Sequence, residues 1–127
     1  MASNNFDRKE AATSFLRLAS AGKVKDAYQQ YVDPGFRHHN PYFAGDAETL
    51  KTAMIENATQ FPQKTIDIKH VVADGDLVAM HAHVRLKPDD LGVATIHLFR
   101  FEGNRIIELW DVGQAVPESS LNKYGMF

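Results

Sequence analysis

The chain has no cysteine among its 127 residues. That removes disulfide frameworks, thiolate zinc sites and cysteine nucleophiles at once. A basic excess is also missing: 14 Lys and Arg stand against 16 Asp and Glu, a formal charge of −2. A nucleic-acid binder needs a positive stripe to meet phosphates, so that class is set aside. No apolar run approaches the roughly 20 residues of a membrane span. Met1 to Asp7 has neither the basic start nor the apolar stretch of a secretory leader. There is no Gly-x-Ser-x-Gly and no phosphate-cradling glycine loop, and Ser14, Ser20, Ser119 and Ser120 have no basic context. These absences leave the expectation of one soluble, cytoplasmic domain over residues 1–127. The 44% hydrophobic and 24% charged residues suit a globular core and argue against disorder.

The front of the chain has helical spacing. Asp7 and Glu10 form a capping-box pattern, and Ala11, Phe15, Leu18 and Ala19 follow at helical intervals up to Gly22. Val24, Ala27, Tyr28 and Tyr31 predict a second short helix that Asp33-Pro34 ends, because a residue before proline avoids the helical region. A third helix is expected from the Gly45-Asp46 boundary, with Leu50, Ala53, Met54 and Asn57 inward and Phe61-Pro62 as its close.

After Pro62 the period changes to two. Thr65 to Ala73 places Ile66, Ile68 and Val72 on one face. Asp74-Gly75 predicts a hairpin, with positive φ at both central turn residues. Leu77 to Leu86, Val93 to Phe101 and Arg105 to Gly113 read as three further strands, with a turn at Gly103-Asn104. The tail from Gln114 has no clear period, and a short helix after Pro117 is compatible with it. Three helices followed by four hairpin-linked strands predict an α+β fold on a curved antiparallel sheet. If that sheet curls strongly, helices and sheet enclose a pocket.

Polar residues interrupt the face expected to be interior. Pairing Phe101 near Ile107 brings Phe99 to Leu109 and His97 to Asp111, with the large apolar residues on one side. That register calls for a three-residue loop with a bulge. A two-residue loop at Gly103-Asn104 sets His97 opposite Trp110 instead, since a slip of one residue exchanges the faces. A carboxylate on an apolar face is costly unless partnered, and burial makes it a better base near neutrality. Asp111 therefore reads either as a general base or as a wet-end residue capping a loop. His97 reads as its partner, as a proton or hydrogen-bond donor, or as a core histidine satisfied by backbone.

Other residues carry two readings each. His39 and Asn40, held by Pro41, either line a pocket mouth or form a local turn. His81 and His83 share a strand face, a spacing used by metal sites on sheets, but Val84-Arg85-Leu86-Lys87 supplies no following carboxylate. They serve as pocket-wall or surface histidines with more ease than as ligands. Met54 and Phe61 suit a pocket or a core equally.

The order and spacing of His39-Asn40-Pro41, Asp74-Gly75-Asp76-Leu77-Val78, Phe99-Arg100 and Glu108-Leu109-Trp110-Asp111-Val112 resembles the SnoaL-like group of the nuclear transport factor 2-like superfamily. Gln114, Val116-Pro117-Glu118 and Met126-Phe127 extend the likeness to its bacterial polyketide-cyclase or aldol-condensation proteins. The resemblance implies a cone-shaped, cystatin-like fold, no cofactor, and pairing of two copies through the outer sheet face, where Trp110, Ile96 and Leu98 would lie. Asp111 matches the group's acid/base carboxylate, and His39 and Asn40 match its His-Asn-Pro segment. Two departures stand out. Leu109 replaces a frequent histidine and His97 a frequent aspartate, as though acid and imidazole had traded strands. The expected activity is acid/base carbon-acid chemistry on a small apolar carbonyl compound. Asp111 and His97 would be catalytic, and His39, Asn40, His83, Met54, Phe61, Phe99 and Leu109 would line the site. Non-catalytic binding of a small ligand, or a histidine metal site, are the alternatives.

Overall fold

Capping and alternation set the elements. In the computed structural model, which describes residues 6–127, the Asp7 carboxylate accepts from the backbone N–H of Lys9 and Glu10. This starts helix α1 (Arg8–Ser20) by satisfying first-turn donors that a helix leaves free. The first five residues, read above for a secretory leader, lie outside the described residues. Helix α2 (Val24–Tyr31) follows after Gly22. Asp46 caps helix α3 (Ala47–Gln60) by accepting from the Thr49 N–H, and Phe61 ends it.

Between α2 and α3 the chain forms strand β1 (Val32–His38), where the sequence reading has only a turn. β1 pairs parallel with the last strand at Arg37 and His38 and is irregular over Val32 to Arg37. Pro34 lies in that irregular stretch of an edge strand, where a missing N–H breaks no ladder. The other strands are β2 (Thr65–Asp74), β3 (Leu77–Arg85), β4 (Val93–Glu102) and β5 (Arg105–Ala115). The sheet is therefore five-stranded and mixed, in the order β1-β5-β4-β3-β2, not four-stranded and antiparallel. No helix follows Pro117; residues 116–127 are irregular. Both hairpin turns are two residues long. Only their first glycines, Gly75 (φ +61) and Gly103 (φ +59), have positive φ, as a type II′ turn requires.

Two bulges decide which side chains face the helices. In β5, Arg100 pairs Glu108 but Phe101 pairs Ile106, leaving Ile107 as the extra residue. Ile106, Leu109 and Asp111 then point inward and Glu108 and Trp110 outward. In β2, Ile68 pairs Ala82 but His70 pairs His81, leaving Lys69 extra. That shift turns Val71 inward and leaves Val72 63% exposed, the reverse of the strict alternation expected.

The inner face packs Val78, Met80, Phe99, Phe101, Ile106 and Leu109 against Ala11, Ala12, Phe15 and Leu16 of α1. Phe15 is the hub. Its ring meets Phe99 at 5.9 Å and Tyr28 at 5.5 Å, both edge-on. Arg8 ties the two hairpin turns to α1 by donating to the carbonyls of Gly75 and Gly103.

The outer face has one polar knot. Glu108 is 5% exposed. Its Oε2 accepts from Arg37 Nε (3.1 Å) and His39 Nε2 (2.6 Å), and its Oε1 from Arg100 Nε (2.9 Å) and Arg37 Nη2 (3.2 Å). Burial pushes this carboxyl up, but the hydrogen bonds from His39, Arg100 and Arg37 outweigh it and hold the pKa at about 2 against an ordinary 4.5. A depressed folded pKa adds stability that is present above 4.5 and lost as the pH falls toward 2. Glu108→Gln should therefore lower stability at pH 7 by about 1–3 kcal/mol in urea denaturation. The gap between variant and wild type should close on acidification through that window. A gap independent of pH would contradict the role of the charge.

Candidate active site

Beyond Phe99 and Leu109, the next inward pair along β4 and β5 is polar. His97 and Asp111 are direct cross-strand partners, and both are half-buried. Same-face partners of this kind hold their Cβ atoms about 4.5–5.5 Å apart. The expected juxtaposition is present, by a different route. The loop has two residues, and the bulge at Ile107 restores the register that such a loop alone would have lost.

Asn40 reaches this pair from β1. The His39 N–H donates to the Leu109 carbonyl at 3.0 Å, so the strand's alternation continues past its last regular residue. His38 and Asn40 point inward and His39 outward. Asn40 Nδ2 donates to Asp111 Oδ2 at 3.3 Å. Its Oδ1 accepts from the Tyr42 N–H at 3.0 Å, which fixes which end of the amide faces the carboxylate. His38 braces the same segment. Its Nδ1 accepts from the Asn40 N–H at 3.1 Å, leaving Nε2 to donate to the Ala44 carbonyl at 2.7 Å.

His97 Nδ1 is buried and has no hydrogen-bond partner among the described residues. Burial lowers the pKa of this imidazole. Asp111 opposes that shift, Lys64 adds to it, and the net direction is down. Burial thus favours the neutral ring, which has one donor and one acceptor nitrogen. Lys64 lies in the turn between α3 and β2, half-buried, and donates from Nζ to Asn57 Oδ1 at 2.8 Å. Burial holds its ammonium below the usual lysine range. Sequence reasoning missed Lys64. Its only signal was a lysine three places beyond the helix-ending Phe61, which is ordinary for a solvated turn.

The other expected lining residues divide. His39 is on the outer face, stacked on Trp110 at 5.0 Å and donating to Glu108, and it does not meet Asp111. His83 is also outward. Its Nε2 donates to the Leu91 carbonyl at 2.8 Å and its ring stacks on Phe127 at 4.3 Å. Period-two alternation separates both from the inner face, so the pocket-wall reading of His39 and His83 is corrected. Phe99 and Leu109 are 0% and 2% exposed. They form the packed floor beneath His97 and Asp111 and offer a ligand little surface. Met54 is half-buried, and its sulfur accepts from the Tyr28 hydroxyl at 3.5 Å; Phe61 is half-buried at the end of α3. His81 stacks on His70 with their Nδ1 atoms 3.1 Å apart. Among the described residues no three His, Asp or Glu side chains are grouped to hold a metal ion. A groove of about 620 Å³ lies on the outer face, lined by His81, Ile96, Val112 and Met126, away from Asp111.

Residues 12–109 match the family model described as SnoaL-like domain. The chain belongs to the SnoaL-like family. The SnoaL-like match runs from within α1 to Leu109 in β5 and stops short of Asp111. No curated protein matches the chain in sequence. Solved structures of the same fold include a candidate polyketide cyclase of Acidithiobacillus ferrooxidans, 22% identical, covering 89% of each chain with a TM-score of 0.68. A cystatin-fold protein of Novosphingobium aromaticivorans is 21% identical over 88% of this chain and 99% of its own, also at 0.68. A candidate hydroxylase of Streptomyces galilaeus, AclR, is 16% identical over 84% and 88%, at 0.71. At such identities these likenesses establish the architecture: three helices on a mixed sheet, of nuclear transport factor 2-like or cystatin type. Among the described residues no helix is long and apolar enough to cross a membrane.

The lowered His97 pKa has a sign that can be measured. A histidine disfavoured as a cation in the fold contributes stability above its ordinary pKa of 6.5, lost as the pH falls through and below that value. Proton NMR titration should give the His97 ring a midpoint below 6.5. A midpoint at or above 6.5 would show that Asp111 outweighs burial.

Proposed function

We propose that this SnoaL-like protein performs acid/base carbon-acid chemistry on a small apolar carbonyl compound, as an aldol condensation, cyclisation or isomerisation. The observation that carries the reading is the inner-face pair. A carboxylate oriented by Asn40 stands beside a neutral imidazole whose buried Nδ1 has no partner among the described residues. Asp111 takes a proton from the carbon next to the carbonyl. The His97 ring hydrogen-bonds the oxygen that gains charge as the enolate forms, and the apolar floor strengthens that bond by excluding water. The proton then returns from Asp111 to carbon or to an aldol oxygen, so the carboxylate is regenerated. Asn40 positions Asp111 and does not itself exchange a proton. The polyketide-cyclase names among the structural relatives agree with this class of reaction.

Deuterium exchange into the methyl group of 2-acetonaphthone, followed by proton NMR, tests the base without knowledge of the natural substrate. Asp111→Asn should slow exchange by about 10²–10⁴-fold, the usual contribution of a general base, with circular dichroism and melting unchanged. Unchanged exchange, with the ketone still bound, would leave a non-catalytic ligand-binding protein as the correct reading.

The outer face supports a homodimer. It presents Ile96 and Val112 at 42% and 67% exposure, beside half-buried Leu98 and Trp110. A second copy would cover this apolar surface. Light scattering at micromolar concentration should give twice the chain mass, and Val112→Asp should shift it to the monomer. A monomeric wild type would remove the proposal.

A further inference from the structure

Lys64 is a cation that the acid/base pair does not use. Among the described residues its ammonium forms no ion pair, whereas Lys51 meets Glu48 and Lys69 meets Asp67. Its protein partner is neutral: one of three ammonium donors goes to Asn57 Oδ1. A half-buried ammonium with such a partner has lost hydration without gaining an opposite charge, an arrangement that costs stability in the empty protein. Lys64 directly precedes β2, whose Ile66 and Ile68 pack against the inner-face core, and its hydrogen bond to Asn57 turns the ammonium toward α3.

The topology gives this cation a direction. Lys64 leads into β2 at the sheet end where Thr65 pairs Arg85 and Val84 pairs Val93. Moving along the inner face from the Phe99–Leu109 floor, one passes His97 and Asp111 first and arrives at that end next. Asn57, three residues after Met54, is on the core-facing side of α3 and keeps its amide Nδ2 as a further donor. A ligand with its carbonyl at His97, extended along the strands toward that end, would approach two donors and a positive charge.

We propose that Lys64 and Asn57 form an anion-holding subsite at this end of the inner face, and that the apolar carbonyl portion of the substrate is joined to a carboxylate at its far end. The inference rests on the carbon-acid reading of Asp111 and His97. The carboxylate binds Lys64 as a charge-assisted pair and the Asn57 amide as a hydrogen bond. Repulsion from Asp111 and attraction to Lys64 together orient the ligand, so the enolisable carbon and not the carboxylate meets the base.

Two probes of one shape separate the claims: 2-naphthoate, which is charged, and 2-acetonaphthone, a neutral ketone. Their dissociation constants are measured by titration calorimetry on wild type and Lys64→Gln. The wild type should hold naphthoate about tenfold tighter than the variant, a difference that shrinks with added salt. The ketone should bind both proteins equally, which also shows that the variant is folded. Asp111→Asn should tighten naphthoate binding by removing a like charge. Equal naphthoate affinity in wild type and Lys64→Gln, with the ketone bound, overturns the anion subsite and leaves the carbon-acid reading standing. Failure of both probes to bind at millimolar concentration overturns the subsite and ligand binding beside Asp111 together. Retained Lys64-dependent naphthoate binding, with no ketone exchange in the wild type, overturns the carbon-acid reading alone.

Discussion

One extra residue in the last strand controls the chemistry of both sheet faces. The Gly103-Asn104 turn is tight, and a strand leaving it in strict alternation from Ile106 would turn Glu108 inward and Asp111 outward. Ile107 absorbs one position, and every side chain after it changes sides. The same displacement sends a carboxylate to three cationic or hydrogen-bonding partners outside and another to an imidazole inside. Neither carboxylate would find those partners without it. A glutamate turned into the Phe15–Phe99 core would meet no compensating charge there.

The two faces are joined through a three-residue stretch. His38, His39 and Asn40 alternate in, out and in across the edge of the sheet. On the outside His39 lies between Glu108 and the Trp110 ring; on the inside Asn40 holds Asp111. An ion pair that spans β1, β5 and β4 therefore fixes the register of the residue that orients the candidate base. Glu108 is the residue through which outer packing sets inner geometry. Its partners are unequal: Arg37 and His39 have side chains 57% and 45% exposed, so solvent screens their share, while Arg100 at 27% is less screened.

Much of this was readable from sequence, and the failures have specific causes. The three helices announced themselves through Asp7, Asp46 and 3.6-residue spacing, because caps and stripes are local properties. The His97–Asp111 contact was readable because only one register buries Phe99, Leu109 and their neighbours together. Strand β1 was not, because Pro34 and Gly35 imitate a turn and a parallel partner 71 residues away, as Glu108 is from Arg37, leaves no local trace. His39 was misplaced for the same reason: without β1 there is no alternation to separate it from Asn40. Val72 and the bulge at Lys69 show the limit of reading period two across a strand, since one irregular residue inverts the rest. Lys64 was invisible because its role depends on where α3 stops relative to β2, a tertiary fact.

The His97 ring is the feature of this interior on which the proposed chemistry depends. A buried nitrogen left without a partner costs about 1–3 kcal/mol, in a binding site as in a catalytic one. The ring nitrogens of His38 and the amide of Asn40 find partners within the protein, and so do the carboxylate oxygens of Glu108. His97 is the exception, and it stands beside the one inward carboxylate on β5. In the proposed reaction this nitrogen would donate to the oxygen that develops charge. That hydrogen bond strengthens as the charge grows, so it favours the transition state over the bound ground state. That difference, more than the shape of the fold, is the physical basis of the reaction proposed for this end of the sheet.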